Sequence, residues 1–368
     1  MTISVKPWPA KLKSKELSLN GLKITFQAPG VYSLAAQQNA YRLFSSLKLS
    51  YPKAEQGAED ASPTLRDVTV RLTDLAGRLE PEIWVISQLA PGQHVRLQDR
   101  PLKFDHAFLL NLSDETQLEF EFQAFGEGEV PLAVASTTVT VLPANFWGGE
   151  TRQPELLAAF VKPNGVYVES LIRQVADVMN SNGLGRAVDG YQSNTRERPY
   201  AMAAALWSVV AAQNLAYVSP PPSYAQQGQL IRLASDISNS KMGACLDLSL
   251  LFASCLELMG LNTVVALTET HAVVGVWLID TMFPLLTNDD PVELRKRVDA
   301  KDLVLFESTM VTNDPAPTFL QACAQARSLI SEESDEAFIY AIDIAQARTR
   351  QIKPLATVEE RAEENFYS

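Results

Sequence analysis

With 368 residues, 46% of them hydrophobic and 20% charged, the chain is long enough for two domains or three, each burying its own core. A net charge of −12, offset by no stretch rich in lysine and arginine, argues against direct binding of nucleic acid or of an anionic membrane. Cys245, Cys255 and Cys323 form neither a CxxC pair nor a disulfide framework, the N-terminus carries lysines but no apolar signal core, and no run of about 18 apolar residues occurs; a cytoplasmic protein is expected.

After an N-terminal arm of residues 1–15, short strand-like runs separated by turn residues occupy 22–26, 67–72, 82–86, 107–112, 117–122 and 137–141, several of them alternating apolar and polar side chains at period two. Six to eight strands at this spacing predict an antiparallel β-sandwich of immunoglobulin-like type over residues 16–143, lacking the usual disulfide. The polar stretch 52–63 reads as a solvated loop, and His94 and His106 fall near strand ends with nothing to complete a metal or catalytic set.

Residues 144–153, with Gly148 and Gly149, read as a linker. Helical spacing then takes over in 155–161, 166–179 and 198–213, and Pro220-Pro221-Pro222 marks a rigid extended connector. The second domain is expected to span 154–356, followed by a disordered tail, 357–368.

Within it, Lys241-Met242-Gly243-Ala244-Cys245-Leu246-Asp247 leads into a helix, 243–259, apolar on nearly every side and hence central, ended at Gly260 by a left-handed cap. Cys245 lies in its first turn, where unpaired N–H groups and the helix dipole favour an anionic sulfur; a small buried hydrophobe is the other reading of such a cysteine. Gly243 would let a substrate carbonyl approach closely. With His94 and His106 in the first domain, His271 is the imidazole left to exchange a proton with Cys245. For an acid to orient that imidazole, Asp280 lies about 30 Å away along one extended strand and is excluded unless the strand breaks. Glu307 ends the run 303–307, which antiparallel pairing could bring beside His271. Residues 291–298 between them read as a short helix, 317–330 as a helix carrying a structural Cys323, 331–336 as a charged loop and 338–344 as a strand.

Gly243-x-Cys245-x-Asp247 at a helix start, His271-Ala272 opening a strand, and Glu307 followed two residues on by Thr309 resemble the core of the transglutaminase-like superfamily, relatives of papain in fold. The resemblance covers about residues 191–312. It implies a central helix packed on an antiparallel sheet, with Cys245 as nucleophile, His271 as general base and acid, and Glu307 as orienting acid. The sequence departs from the family pattern in having Val273 where an aromatic is usual and Glu307-Ser308-Thr309 where Asp-Pro-Thr is usual. Oxyanion donors would be the Cys245 N–H and a side chain from upstream, Gln229 or Gln192.

A narrower similarity, carried by Asn145-Phe146-Trp147-Gly148-Gly149, Asp189-Gly190-Tyr191-Gln192-Ser193 and the segment from Ala341 to Leu355, is to the amino-terminal region of large bacterial proteins that continue into a superfamily 1 helicase and are linked to phage defence. No GxxxxGK[ST] phosphate loop is present here. The expectation is therefore an α+β protein that performs cysteine-dependent acyl transfer on a protein or peptide without a cofactor. A peptidase or amidase is favoured over a cross-linking transglutaminase, with the β-sandwich as a recognition domain. The alternative is a non-catalytic scaffold for a helicase-type partner.

Overall fold

The computed structural model of the protein describes residues 15–18, 22–53, 63–100, 102, 104–149, 153–219 and 228–356. The N-terminal arm before Lys15, residues 54–62 of the polar loop, the proline triplet and the C-terminal tail lie outside the described residues. The fold is α+β, and the chain divides into two compact units between Ala144 and Asn145.

The first unit holds β1 (Lys15–Ser18), β2 (Lys23–Gln27), β3 (Val31–Tyr32), β4 (Ser45–Ser50), β5 (Leu65–Asp74), β6 (Glu82–Leu89), β7 (His94–Arg96), β8 (Thr116–Gly126) and β9 (Val130–Val141). One sheet runs β1-β9-β8-β5-β6 and the other β2-β4-β7. Period-two alternation buries Val68, Val70 and Leu72 of β5 and Leu118, Phe120, Phe122 and Ala124 of β8 on one face. Phe26 of the smaller sheet meets Phe122 of the larger at 4.7 Å between ring centroids, and Phe44 meets Phe120 and Phe122 edge-on.

Three features differ from expectation. The sheet is not purely antiparallel, because β3 pairs in parallel with β9. Residues 34–38 form a short helix, α1 (Leu34–Gln38), capped by Ser33. The apolar run 107–112 is not a strand but lies largely in α2 (His106–Leu110). Asp105 accepts hydrogen bonds from the N–H groups of Ala107 and Phe108, so a side-chain cap starts a helix where an unbroken apolar run carries no period of its own.

The second unit begins with β10 (Phe146–Trp147), inside the expected linker. The segment expected as a helix at 155–161 is a 3-10 helix, Pro154–Phe160, with every residue after Glu155 buried. Then come α3 (Val166–Ser181), α4 (Glu197–Ala211), β11 (Ala216–Tyr217), β12 (Gln229–Leu230), α5 (Ala234–Ser240), β13 (Met242–Gly243) and α6 (Cys245–Leu258). They are followed by β14 (Thr263–Thr268), β15 (Ala272–Trp277), β16 (Thr287–Asn288), α7 (Pro291–Asp299), β17 (Leu303–Phe306), α8 (Phe319–Leu329), β18 (Phe338–Asp343) and α9 (Ile344–Thr349). Residues expected as a charged loop before β18 form a 3-10 helix, Glu332–Ala337.

An antiparallel sheet, β16-β18-β14-β15-β17, carries the unit. All six residues of both β14 and β15 are buried, so the sheet is covered on two faces. Val264, Ala266, Val273 and Trp277 face a cluster with Leu294 of α7 and Ala326 of α8. On the other face Phe306 of β17 packs against Phe252 of α6 at 5.0 Å.

Helix α6 has no exposed side from Cys245 to Leu256. It ends in a Schellman motif: Gly260, at φ +77°, donates to Glu257 O and Leu261 N–H donates to Leu256 O. Its polar residues are each spent on a tether. Ser254 Oγ donates to Leu250 O and accepts the Lys162 N–H at 2.8 Å. Near the far end, Glu257 takes a two-point hydrogen bond from Arg348, whose remaining donors satisfy the carbonyls of Ala158, Val161 and Ile352. One guanidinium thus joins the 3-10 helix, α6 and α9. Replacing Arg348 with alanine orphans a half-buried carboxylate and the carbonyls of Val161 and Ile352, at a cost of roughly 3 kcal/mol. Calorimetry of Arg348→Ala should show the melting of this unit lowered by roughly 6–12 °C, with Arg348→Lys only partly restoring it; an unchanged melting temperature would contradict the clamp.

Candidate active site

The site is assembled at the N-terminus of α6. Ala244 caps the helix in an extended conformation, and Asp247, fully buried, reaches back to accept the Ala244 N–H at 2.9 Å. The same carboxylate accepts the Arg232 N–H at 3.0 Å and the Arg232 guanidinium at 3.1 Å. Burial pushes the Asp247 carboxyl up, and these hydrogen bonds and the Arg232 charge oppose it. Asp247 therefore locks the segment ahead of Cys245 to the irregular stretch at Arg232 that follows β12. Gly243 has a packing reason: a Cβ there would meet Leu248 Cδ2 at 2.9 Å.

A tight turn places the histidine. Thr268 at the end of β14 accepts the His271 N–H through Oγ1 at 3.0 Å, and its own N–H donates to His271 O at 2.8 Å. The β15–β17 register sets Val274 opposite Phe306, so the acid lies one residue past the paired stretch. Glu307 Oε2 and His271 Nε2 are 2.5 Å apart. Oε1 accepts the N–H and the hydroxyl of Thr309, at 2.9 and 2.7 Å, which fixes the carboxylate's plane. Thr309 two residues after the acid thus has a physical role. Asp280 is elsewhere, accepting from Asn262 Nδ2.

With Nε2 engaged by Glu307, Nδ1 is the ring nitrogen left for Cys245, which lies beside the same imidazole. Burial alone would lower the His271 pKa, but the hydrogen bonds to Cys245 and Glu307 and their charges outweigh it and raise it to about 10. Burial likewise pushes Glu307 up, yet the bonds from His271 and Thr309 and the imidazolium charge hold it below the ordinary carboxylate range.

Under these three residues lie two hydroxyls with no exposed surface. Ser249 and Ser308 Oγ are 3.0 Å apart; Ser308 reaches Cys245 O and Ser249 reaches Ala272 O, each at 3.4 Å. They join the three segments that carry cysteine, histidine and acid.

The two glutamines differ in placement. Gln192 is exposed and follows Gly190, which packs on Gly260 beyond the C-terminal end of α6. Neighbouring Tyr191 bonds Asn262 N and Trp277 O there. A 14-residue helix is about 20 Å long, so Gln192 is a helix length from Cys245 and is not an oxyanion donor. Gln229 is buried in β12 opposite Trp147, and neither its amide nitrogen nor its amide oxygen has a hydrogen-bond partner. Tyr217 was not singled out from sequence. Its hydroxyl lies beside Cys245, and burial, with the nearby Cys245 and Glu307 charges, raises its pKa. It sits in a two-residue strand beside the proline triplet, where no periodic signal exists to find it.

Burial pushes the thiol of Cys255 far up and that of Cys323 to about 12. Among the described residues no group of three or more His, Cys, Asp or Glu could hold a metal ion, and no helix is long and apolar enough to cross a membrane.

The sign of the pH dependence follows from the pair. A raised histidine stabilises the fold fully below its ordinary 6.5 and loses that contribution as pH rises through about 10. A lowered carboxylate contributes above 4.5 and loses it as pH falls through its folded-state value. In NMR the ring signals of only three histidines need be assigned; that of His271 should titrate near 10 and fall by at least a unit in Glu307→Gln. A midpoint near 6.5 in the unmutated protein would contradict the pairing.

No family model matches the chain, and no curated protein matches it. Among solved structures, it is similar at 10% identity and a TM-score of 0.21 to a chain described as a "putative protease" from Parabacteroides distasonis. The match covers 73% of this chain and 58% of that one, and at that TM-score it carries no argument about fold or chemistry.

Proposed function

We propose that the second unit is a cysteine-dependent acyl-transfer enzyme of transglutaminase-like fold, a peptidase or amidase more than a cross-linking enzyme, with a protein or peptide substrate. In this reading the first unit is an immunoglobulin-like recognition domain. The observation that carries the proposal is the imidazole of His271 bridging the Cys245 sulfur and Glu307, its Nε2 held 2.5 Å from the carboxylate. A histidine that bridges a thiol and a clamped acid is an arrangement for proton exchange, which core packing does not require.

The cycle uses the chain's own groups. The Cys245 thiolate attacks an amide carbonyl carbon while the C=O pair moves to oxygen; the first-turn N–H groups of α6, which lack intrahelical acceptors, face the resulting oxyanion. Collapse breaks the C–N bond, the amine leaves with the proton held on His271, and His271 then takes a proton from water as it attacks the thioester; the C–S bond breaks, the acid leaves and the Cys245 thiolate beside protonated His271 is restored. Glu307 stays ionised and fixes the ring.

A second reading, a non-catalytic scaffold, is favoured by one observation: Cys245 has no exposed surface, so a substrate must first uncover it. A helicase-type partner and a role in phage defence rest on the sequence resemblance alone, and a cytoplasmic setting on the cysteine usage. Labelling of Cys245 by iodoacetamide at pH 7 separates the two readings. His271→Ala should slow it about 100-fold, within the range of a lost general base, and Glu307→Gln to a lesser degree. Equal labelling of all three proteins would favour the scaffold.

A further inference from the structure

Two side chains lie beside Cys245, His271 and Tyr217, and acyl transfer as described above uses one. Cys245 is fully buried, whereas Tyr217 is 42% exposed. The tyrosine is not carried on a loose loop. β11 pairs in parallel with β13, Tyr217 opposite Gly243, with the Ala216 N–H donating to Lys241 O at 2.8 Å and the Val218 N–H to Gly243 O at 3.1 Å. Its backbone is therefore fastened to the segment that enters α6, and the phenol keeps a fixed relation to the nucleophile.

We propose that the Tyr217 hydroxyl is a catalytic hydrogen-bond donor, which passes from the Cys245 sulfur to the substrate's carbonyl oxygen and completes the oxyanion site with the Cys245 N–H. The inference rests on the acyl-transfer reading and names a residue that it lacks. When sulfur bonds to the carbonyl carbon, the π pair moves onto an oxygen only two bonds from that sulfur. A hydroxyl already at the sulfur reaches this oxygen by a small rotation, and leaving the sulfur it also uncovers it. When the intermediate collapses, the pair returns to the carbonyl, the leaving group departs, and the hydroxyl returns with its proton. Tyr217 gives up no proton at any step, which agrees with the burial and negative neighbours that keep the phenol protonated. Glutamines are the residues that sequence logic nominates for this role; Gln192 is too far, and no hydrogen bond joins Gln229 to Cys245 among the described residues.

Two reagents separate this role from a structural one. p-Nitrophenyl acetate acylates a thiolate through an oxyanion and releases p-nitrophenolate, whereas iodoacetamide alkylates it by displacement of iodide with no oxyanion. Tyr217→Phe keeps the ring. In stopped flow its acylation burst should be about 10²- to 10³-fold slower than that of the unmutated protein, the loss expected for one oxyanion donor. Its iodoacetamide labelling should stay within about threefold and its melting temperature should be unchanged. The proposal is overturned if Tyr217→Phe acylates as fast or faster, as a mere cover over the sulfur would require, or if both reactions fall together, which would place the hydroxyl's effect on the sulfur alone. An unmutated protein with no burst would sink the acyl-transfer reading itself, a separate outcome.

Discussion

Everything in the second unit depends on burying one helix on all sides. From Cys245 to Leu256 α6 has no solvent-facing stripe, so layers must close around it, and each polar side chain within it needs a partner. Those partners come from other segments. Asp247 takes Arg232, Ser249 takes Ser308 and Ala272 O, Ser254 takes Lys162, and Glu257 takes Arg348. Burial that supplies the hydrophobic stabilisation therefore also fixes, through a few obligatory hydrogen bonds, which segments lie beside the helix.

That constraint sets the chemistry available at the helix start. A cysteine at the first position of a central helix is held between first-turn N–H groups on one side and whatever the sheet brings on the other. The sheet brings His271 from a tight turn and Glu307 from the end of the neighbouring strand, the latter oriented by Thr309. Ser249 and Ser308 then tie all three segments beneath the site, a serine holding a place where the family pattern has proline. Full burial of the sulfur is the cost of this enclosure.

Much of the frame was legible in the sequence because its signals are redundant. The helix from Cys245 has apolar residues at every angle and a glycine stop, and the strands that follow alternate or run apolar without a break. The pairing of β15 with β17 follows from their order and length. What could not be read has identifiable causes. The run from Ala107 is apolar at successive positions and carries no period; only Asp105 before it marks a helix, as a cap. Gln192 looked available because it follows a glycine beside a tyrosine, but Gly190 is there to let the chain approach Gly260 at the wrong end of α6. Tyr217 lies in a strand of two residues whose partner, Met242–Gly243, is equally short. Such pairs are set by tertiary packing and leave no pattern in the chain.

The central claim is that this enclosure makes Cys245, alone of the three cysteines, an acyl acceptor. Peptide mapping by mass spectrometry after brief exposure to an activated acyl ester at acid quench tests it most directly. The account predicts a thioester on Cys245, lost on hydrolysis and absent in His271→Ala, with Cys255 and Cys323 unmodified. An acyl group on Cys323, or none on any cysteine while Cys245 is reduced and the protein folded, would contradict it.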